Sequence, residues 1–89
     1  MTVFVIEDEF HAEWQGQFQS FDAAFAELRT RGAIAWNETP NRCPCTSWKT
    51  CCREYVVVEF DDRVSPWKET GRTPVLSVNA SGVTWHGHE

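Results

Sequence analysis

The stretch FDAAFAELRTR, residues 21–31, limits the fold more than any other feature, because it alone carries a helical period. Phe21, Ala24, Phe25 and Leu28 recur at i, i+3, i+4 and i+7 and so share one face. Ser20 is placed to cap the first turn, Asp22 complements the dipole there, and Arg29 and Arg31 sit at its negative end. Gly32 is read as the left-handed stop. One helix can cover only one face of a sheet, so any sheet built from the rest of the chain must find other cover for its second face.

The remaining regular patterns are strand-like. TVFVIE, residues 2–7, is β-branched and aromatic on both faces and reads as a central strand. In AEWQGQF, residues 12–18, Ala12, Trp14, Gly16 and Phe18 alternate with polar residues, which predicts a strand with one wet face, and Gly16 leaves room for a neighbour or marks a bulge. Residues 8–11 then form the hairpin loop. YVVVEF, 55–60, reads as a buried strand, and VLSVN (75–79) with VTW (83–85) as a hairpin turning through Ala80, Ser81 and Gly82. The fold class predicted is α+β: a mainly antiparallel sheet of about five strands in chain order β-β-α-β-β-β, with one packed helix.

Two connections, 33–53 and 61–74, show no period and contain all four prolines. They also hold Trp36, Trp48 and Trp67, which are candidates to cover the second face. With 89 residues there is room for a single domain, 1–89, and one modest core, so five Trp and six Phe are needed as bulk.

The net charge of −5, with acidic clusters at Glu7, Asp8, Glu9 and at Glu59, Asp61, Asp62, argues against binding phosphate backbones, so no nucleic-acid partner is expected. A basic protein partner is compatible with it. The N-terminal residues lack the pattern of a secretory signal and no apolar run approaches the ~20 residues of a membrane span, so the expectation is a cytoplasmic protein with no membrane partner and reduced thiols.

All four cysteines fall in RCPCTSWKTCCREY, residues 42–55. As C-x-C-x5-C-C, Cys43, Cys45, Cys51 and Cys52 offer a thiolate set for zinc, but the spacing departs from the C-x2-C to C-x4-C knuckle in which two ligands share a turn. A histidine could replace a thiol, and His11, His86 and His88 are available, each expected at the surface. Lys49 and Arg53 beside Cys51 and Cys52 would favour a reactive thiolate, yet no base neighbours them in sequence. Cys43 or Cys45 could also bridge to Cys51 or Cys52. The preferred reading treats the thiols as small buried hydrophobes packed around Trp48, with no metal or cofactor and zinc as the alternative.

The carboxylates Glu7, Asp8, Glu9 and Glu13 read as a solvated acidic edge rather than an acid-base pair, and Asp61 with Asp62 as a wet turn. Phosphate loops, HExxH and GxSxG are absent, so no catalytic residue is predicted. Trp36, Trp48 and Trp67 with Arg42, Arg53 and Arg72 suggest an interaction surface, because rigid aromatic and arginine side chains dominate binding hot spots.

From EDEFHAEWQGQF through CTSWKTCCREY to SGVTW, the chain resembles a family of small bacterial proteins of uncharacterised function. The family form of the central motif reads TCGREY, with Gly where Cys52 stands, so the resemblance does not imply a four-cysteine site and assigns no residue a role. The resulting expectation is a non-catalytic interaction domain that binds a protein partner, or a second copy of itself, through its aromatic, cysteine-bearing loop. The alternative is a zinc-binding or thiol-redox protein centred on Cys43, Cys45, Cys51 and Cys52.

Overall fold

A computed structural model describes residues 2–43, 45 and 50–86. Its elements are β1 (Thr2–Asp8), β2 (Glu13–Phe18), α1 (Phe21–Gly32), β3 (Arg53–Asp61), β4 (Lys68–Asn79) and β5 (Gly82–Trp85), the expected chain order. These five strands form one antiparallel sheet in the order β2-β1-β3-β4-β5, so the fold is α+β, with a single helix among the described residues. Among the described residues no helix is long and apolar enough to cross a membrane.

The helix packs on one face of the sheet. Ala24 and Leu28 are fully buried against Ile6, Tyr55, Val57, Val75, Leu76 and Val78, with Phe4, Phe18, Phe21, Phe25 and Trp36 around them. Ser20 caps as predicted, its hydroxyl accepting from the amide of Ala23 at 3.1 Å. The C-terminus differs from expectation. Gly32 is the last helical residue, and the cap, Ala33, is right-handed at φ −94°. Glycine is needed at 32 for space, since a Cβ there would lie 2.6 Å from Cζ2 of Trp85, whose ring leans over the helix end from β5.

The second face carries its own cluster, Val5, Val56, Val58 and Phe60, with Val3 and Trp67 packed against it. Trp67 supplies cover from a connection, as anticipated, but its partner comes from β2: Trp14 stacks on Trp67 with ring centroids 6.0 Å apart and lies 5.2 Å from Phe60. Trp14 reaches this face through a bulge. Val5 pairs with Gln17 and Glu7 with Trp14, so β2 carries one extra residue around Gly16, whose φ is +139°. The predicted single apolar face of Ala12, Trp14, Gly16 and Phe18 is thereby split, with Phe18 on the helix side and Trp14 opposite. Ala12 lies in the turn at φ 53°, outside β2.

The expected irregular connection 61–74 is the other correction, since β4 begins at Lys68 and runs through Pro74. Proline is tolerated because β5 pairs only with Leu76–Asn79, which leaves the first part of β4 as a sheet edge, and because the register shifts opposite Tyr55 and Val56 beside it.

Candidate metal centre

Antiparallel pairing of β1 with β3 sets Asp8 opposite Tyr55. The turn that leaves β1 therefore lies beside the residues that enter β3. The amide of Glu9 continues the ladder to the carbonyl of Glu54 at 2.8 Å, and that of His11 closes the turn on the Asp8 carbonyl at 3.2 Å. His11 is thus delivered to Cys51, 40 positions away, with Nε2 3.2 Å from Sγ. A ring nitrogen of His11, Cys45 Sγ and Cys51 Sγ all lie within 4.8 Å of one another. Zinc-ligand bonds of 2.0–2.3 Å in a tetrahedron place donor atoms about 3.5–3.8 Å apart, so donors gathered this closely can converge on one small ion after a shift of about 1 Å.

Asp8 organises the centre. It is fully buried, and each carboxylate oxygen accepts two hydrogen bonds. Oδ1 takes the amides of Phe10 (3.2 Å) and Glu54 (3.1 Å), while Oδ2 takes His11 Nδ1 (2.6 Å) and Arg53 Nη1 (2.8 Å). Arg53, itself buried, also donates to Glu13 Oε1 at 2.9 Å and to the carbonyls of Asn41 and Arg42 at 3.3 and 2.9 Å. Two buried opposite charges in full hydrogen-bonded contact form the arrangement in which such burial is tolerated. Because an ionised Asp8 only accepts, Nδ1 of His11 is the donor, and Nε2 is left to face the sulfurs. Burial pulls the imidazolium pKa down, but the hydrogen bonds of Asp8 and Cys45 and the Asp8 charge outweigh it, leaving His11 above its usual value.

The other two cysteines stand apart from this triad of donors. Cys43 is buried and hydrogen-bonds with Cys51, and its thiol is pushed up to about 12 by desolvation and that contact. Its sulfur is not within 4.8 Å of all three donors. Cys52 faces Glu54, and burial followed by that carboxylate raises its pKa. Glu54 in turn accepts from Ser77 Oγ at 2.5 Å, and the same hydroxyl lies 2.6 Å from His86 Nε2. All four cysteines are unbridged.

The expected packing around Trp48 lies outside the described residues; Cys43 is buried and Trp36 packs on the core, and the described part of the loop is also held by a polar anchor. Asn41, 1% exposed, donates to the carbonyls of Arg31 (2.7 Å) and Ile34 (2.9 Å), and its own side-chain oxygen accepts from Tyr55 at 3.0 Å. It thereby satisfies the end of α1 and anchors 33–43 to β3.

The described members of the expected interaction surface lie on different parts of the molecule. Trp36 packs on the helix side and Trp67 on the opposite face, Arg53 is buried in the ion pair, Arg42 is exposed on the loop, and Trp48 and Lys49 lie outside the described residues. Arg72 spans the second face between Glu7, Glu9 and Glu69 at 3.5, 2.9 and 3.0 Å. The sequence offers His11 only as one of three histidines able to replace a thiol, and gives Asp8 no site role, because a His next to acidic residues looks like a wet turn. The one available signal was that both sit in the turn of the first hairpin, directly after a strand predicted to be central.

No family model matches this chain, and no curated protein or solved structure is significantly similar to it.

Proposed function

We propose that this protein is a metal-binding domain whose ion, best matched by zinc, is held by His11, Cys45 and Cys51. The observation that carries the reading is the continuous chain from Asp8 through His11 to the two sulfurs. Metal-bound histidines nearly always donate their second nitrogen to a carboxylate or carbonyl, which fixes the tautomer and strengthens the ligand, and Asp8 supplies that bond at 2.6 Å. One nitrogen and two sulfurs favour zinc over hard cations such as magnesium or calcium, which select oxygen. The ion would join the β1 turn to the entrance of β3 and to the cysteine loop, so in a chain with a small core it would add to folding stability.

A second reading draws on the same 3.2 Å contact. Cys51, His11 and Asp8 are ordered like nucleophile, base and orienting acid, which would make Cys51 a reactive thiol. Convergence of a second sulfur, Cys45, favours metal, because a nucleophile has no need of it. Titration of the tag-free, metal-depleted protein with zinc against a chromophoric chelator separates the two. The proposal expects saturation at one equivalent in the wild type and loss of binding in His11→Ala, Cys45→Ala and Cys51→Ala. Absence of competitive binding, with rapid Cys51 alkylation that depends on His11, would favour the thiol.

A further inference from the structure

A tetrahedral ion with three protein donors needs a fourth, and the described surroundings do not supply one. Asp8 is held behind His11 with both oxygens doubly bonded, and Glu13 is bound to Arg53 and Gln15. Cys52 is turned to Glu54. Cys43 contacts Cys51, but its sulfur stands outside the set of mutually close donors. Cys51 also lines a surface depression of about 350 Å³, together with Thr50, Cys52, Asn79, Ala80 and Ser81. Its lining residues combine hydroxyl, amide and thiol groups with the methyls of Thr50 and Ala80, a lining suited to a small polar ligand.

We infer that the metal keeps its fourth position for a water molecule that small anions entering from the depression beside Cys51 can displace, and that Cys43 packs against Cys51 without ligating. This rests on the metal-binding reading above and specifies the chemistry of that site. Three protein ligands with an exchangeable water is the arrangement of zinc sites that act on small molecules, whereas purely structural sites close with four. The ion would polarise the bound water or anion, and Thr50, Asn79 and Ser81 would supply hydrogen-bonding groups around it.

Cobalt(II) substituted into the full chain reports both parts of the inference, because its visible bands depend on ligand type and number. In the wild type we expect charge-transfer intensity of two thiolates, and saturable shifts of the ligand-field bands on adding azide or 2-mercaptoethanol. Cys43→Ser and Cys43→Ala should keep the wild-type stoichiometry, spectrum and azide response. His88, which lies outside the described residues, is tested in the same way with His88→Ala, again with no change expected. The inference is overturned if azide and thiol leave the bands unmoved. It also fails if the Cys43 variants lose about a third of the charge-transfer intensity with affinity down about 10-fold or more, or if His88→Ala loses affinity likewise. Should Cys43→Ala not fold, Cys43→Ser and the wild-type azide titration still decide. Failure of the wild type to bind cobalt or zinc at all would instead remove the metal-binding reading itself.

Discussion

Asp8 is the residue on which folding and site chemistry both depend. Asp8→Asn leaves the Arg53 guanidinium buried without its closest anion, and breaking a buried pair in this way costs about 3–5 kcal/mol. Urea unfolding of the metal-depleted variant measures that loss. The same change offers His11 an amide in place of a carboxylate, so zinc affinity should fall about 10- to 100-fold in competition titrations of the folded protein. Glu13, on the far side of Arg53, gives a pH signature. Hydrogen bonds from Gln15 and then Arg53 lower its pKa from the ordinary 4.5. A depressed carboxylate contributes stability that is present above the unfolded value and is lost as pH falls through the folded one. Glu13→Gln should therefore flatten the stability curve below about pH 4.5, and acid titrations of the two proteins followed by tryptophan fluorescence would show it. At this scale the sequence disclosed the cysteines and flagged Arg53, because thiols and a clustered cation announce themselves by type. It offered His11 only as one of three available histidines and did not disclose Asp8, because the meaning of both depends on a strand pairing that joins positions 40 or more apart.

Elements were legible wherever a local rule had nothing to compete with. Helix α1 followed from its period and from Ser20, and Ser20→Ala should cost about 1 kcal/mol in chemical denaturation, since the Ala23 amide loses its acceptor. Strands β1 and β3 followed from β-branched runs covered on both faces. The first half of β4 did not, because Gly71 and Pro74 are breakers by local reading and are accommodated only through the short reach of β5 and the shifted register with β3. Likewise the alternation in β2 was true locally and false globally, for one inserted residue at Gly16 reverses which face each side chain meets. Gly16→Ala, at φ +139°, should destabilise by about 1–3 kcal/mol. Because the bulge delivers Trp14 to Trp67, the tryptophan fluorescence of the folded variant should change with it.

Across the whole molecule, two apolar clusters back to back on one sheet are joined by a polar seam at the end of β1, where Asp8, Arg53, Asn41 and Tyr55 connect the turn, the cysteine loop and the helix terminus. The helix-side cluster carries the larger share of packing, so Leu28→Ala should cost about 2–5 kcal/mol by the cavity it leaves. The seam is where an ion would add a cross-link that a small core lacks. Elemental analysis of tag-free protein purified without chelator, run beside its variants, tests this most directly. The account predicts about one zinc per chain in the wild type and in Cys52→Ala, and loss of zinc with lowered thermal stability in His11→Ala, Cys45→Ala and Cys51→Ala. A wild type that carries no zinc and gains no stability when zinc is supplied would contradict it, as would zinc that survives removal of all three donors.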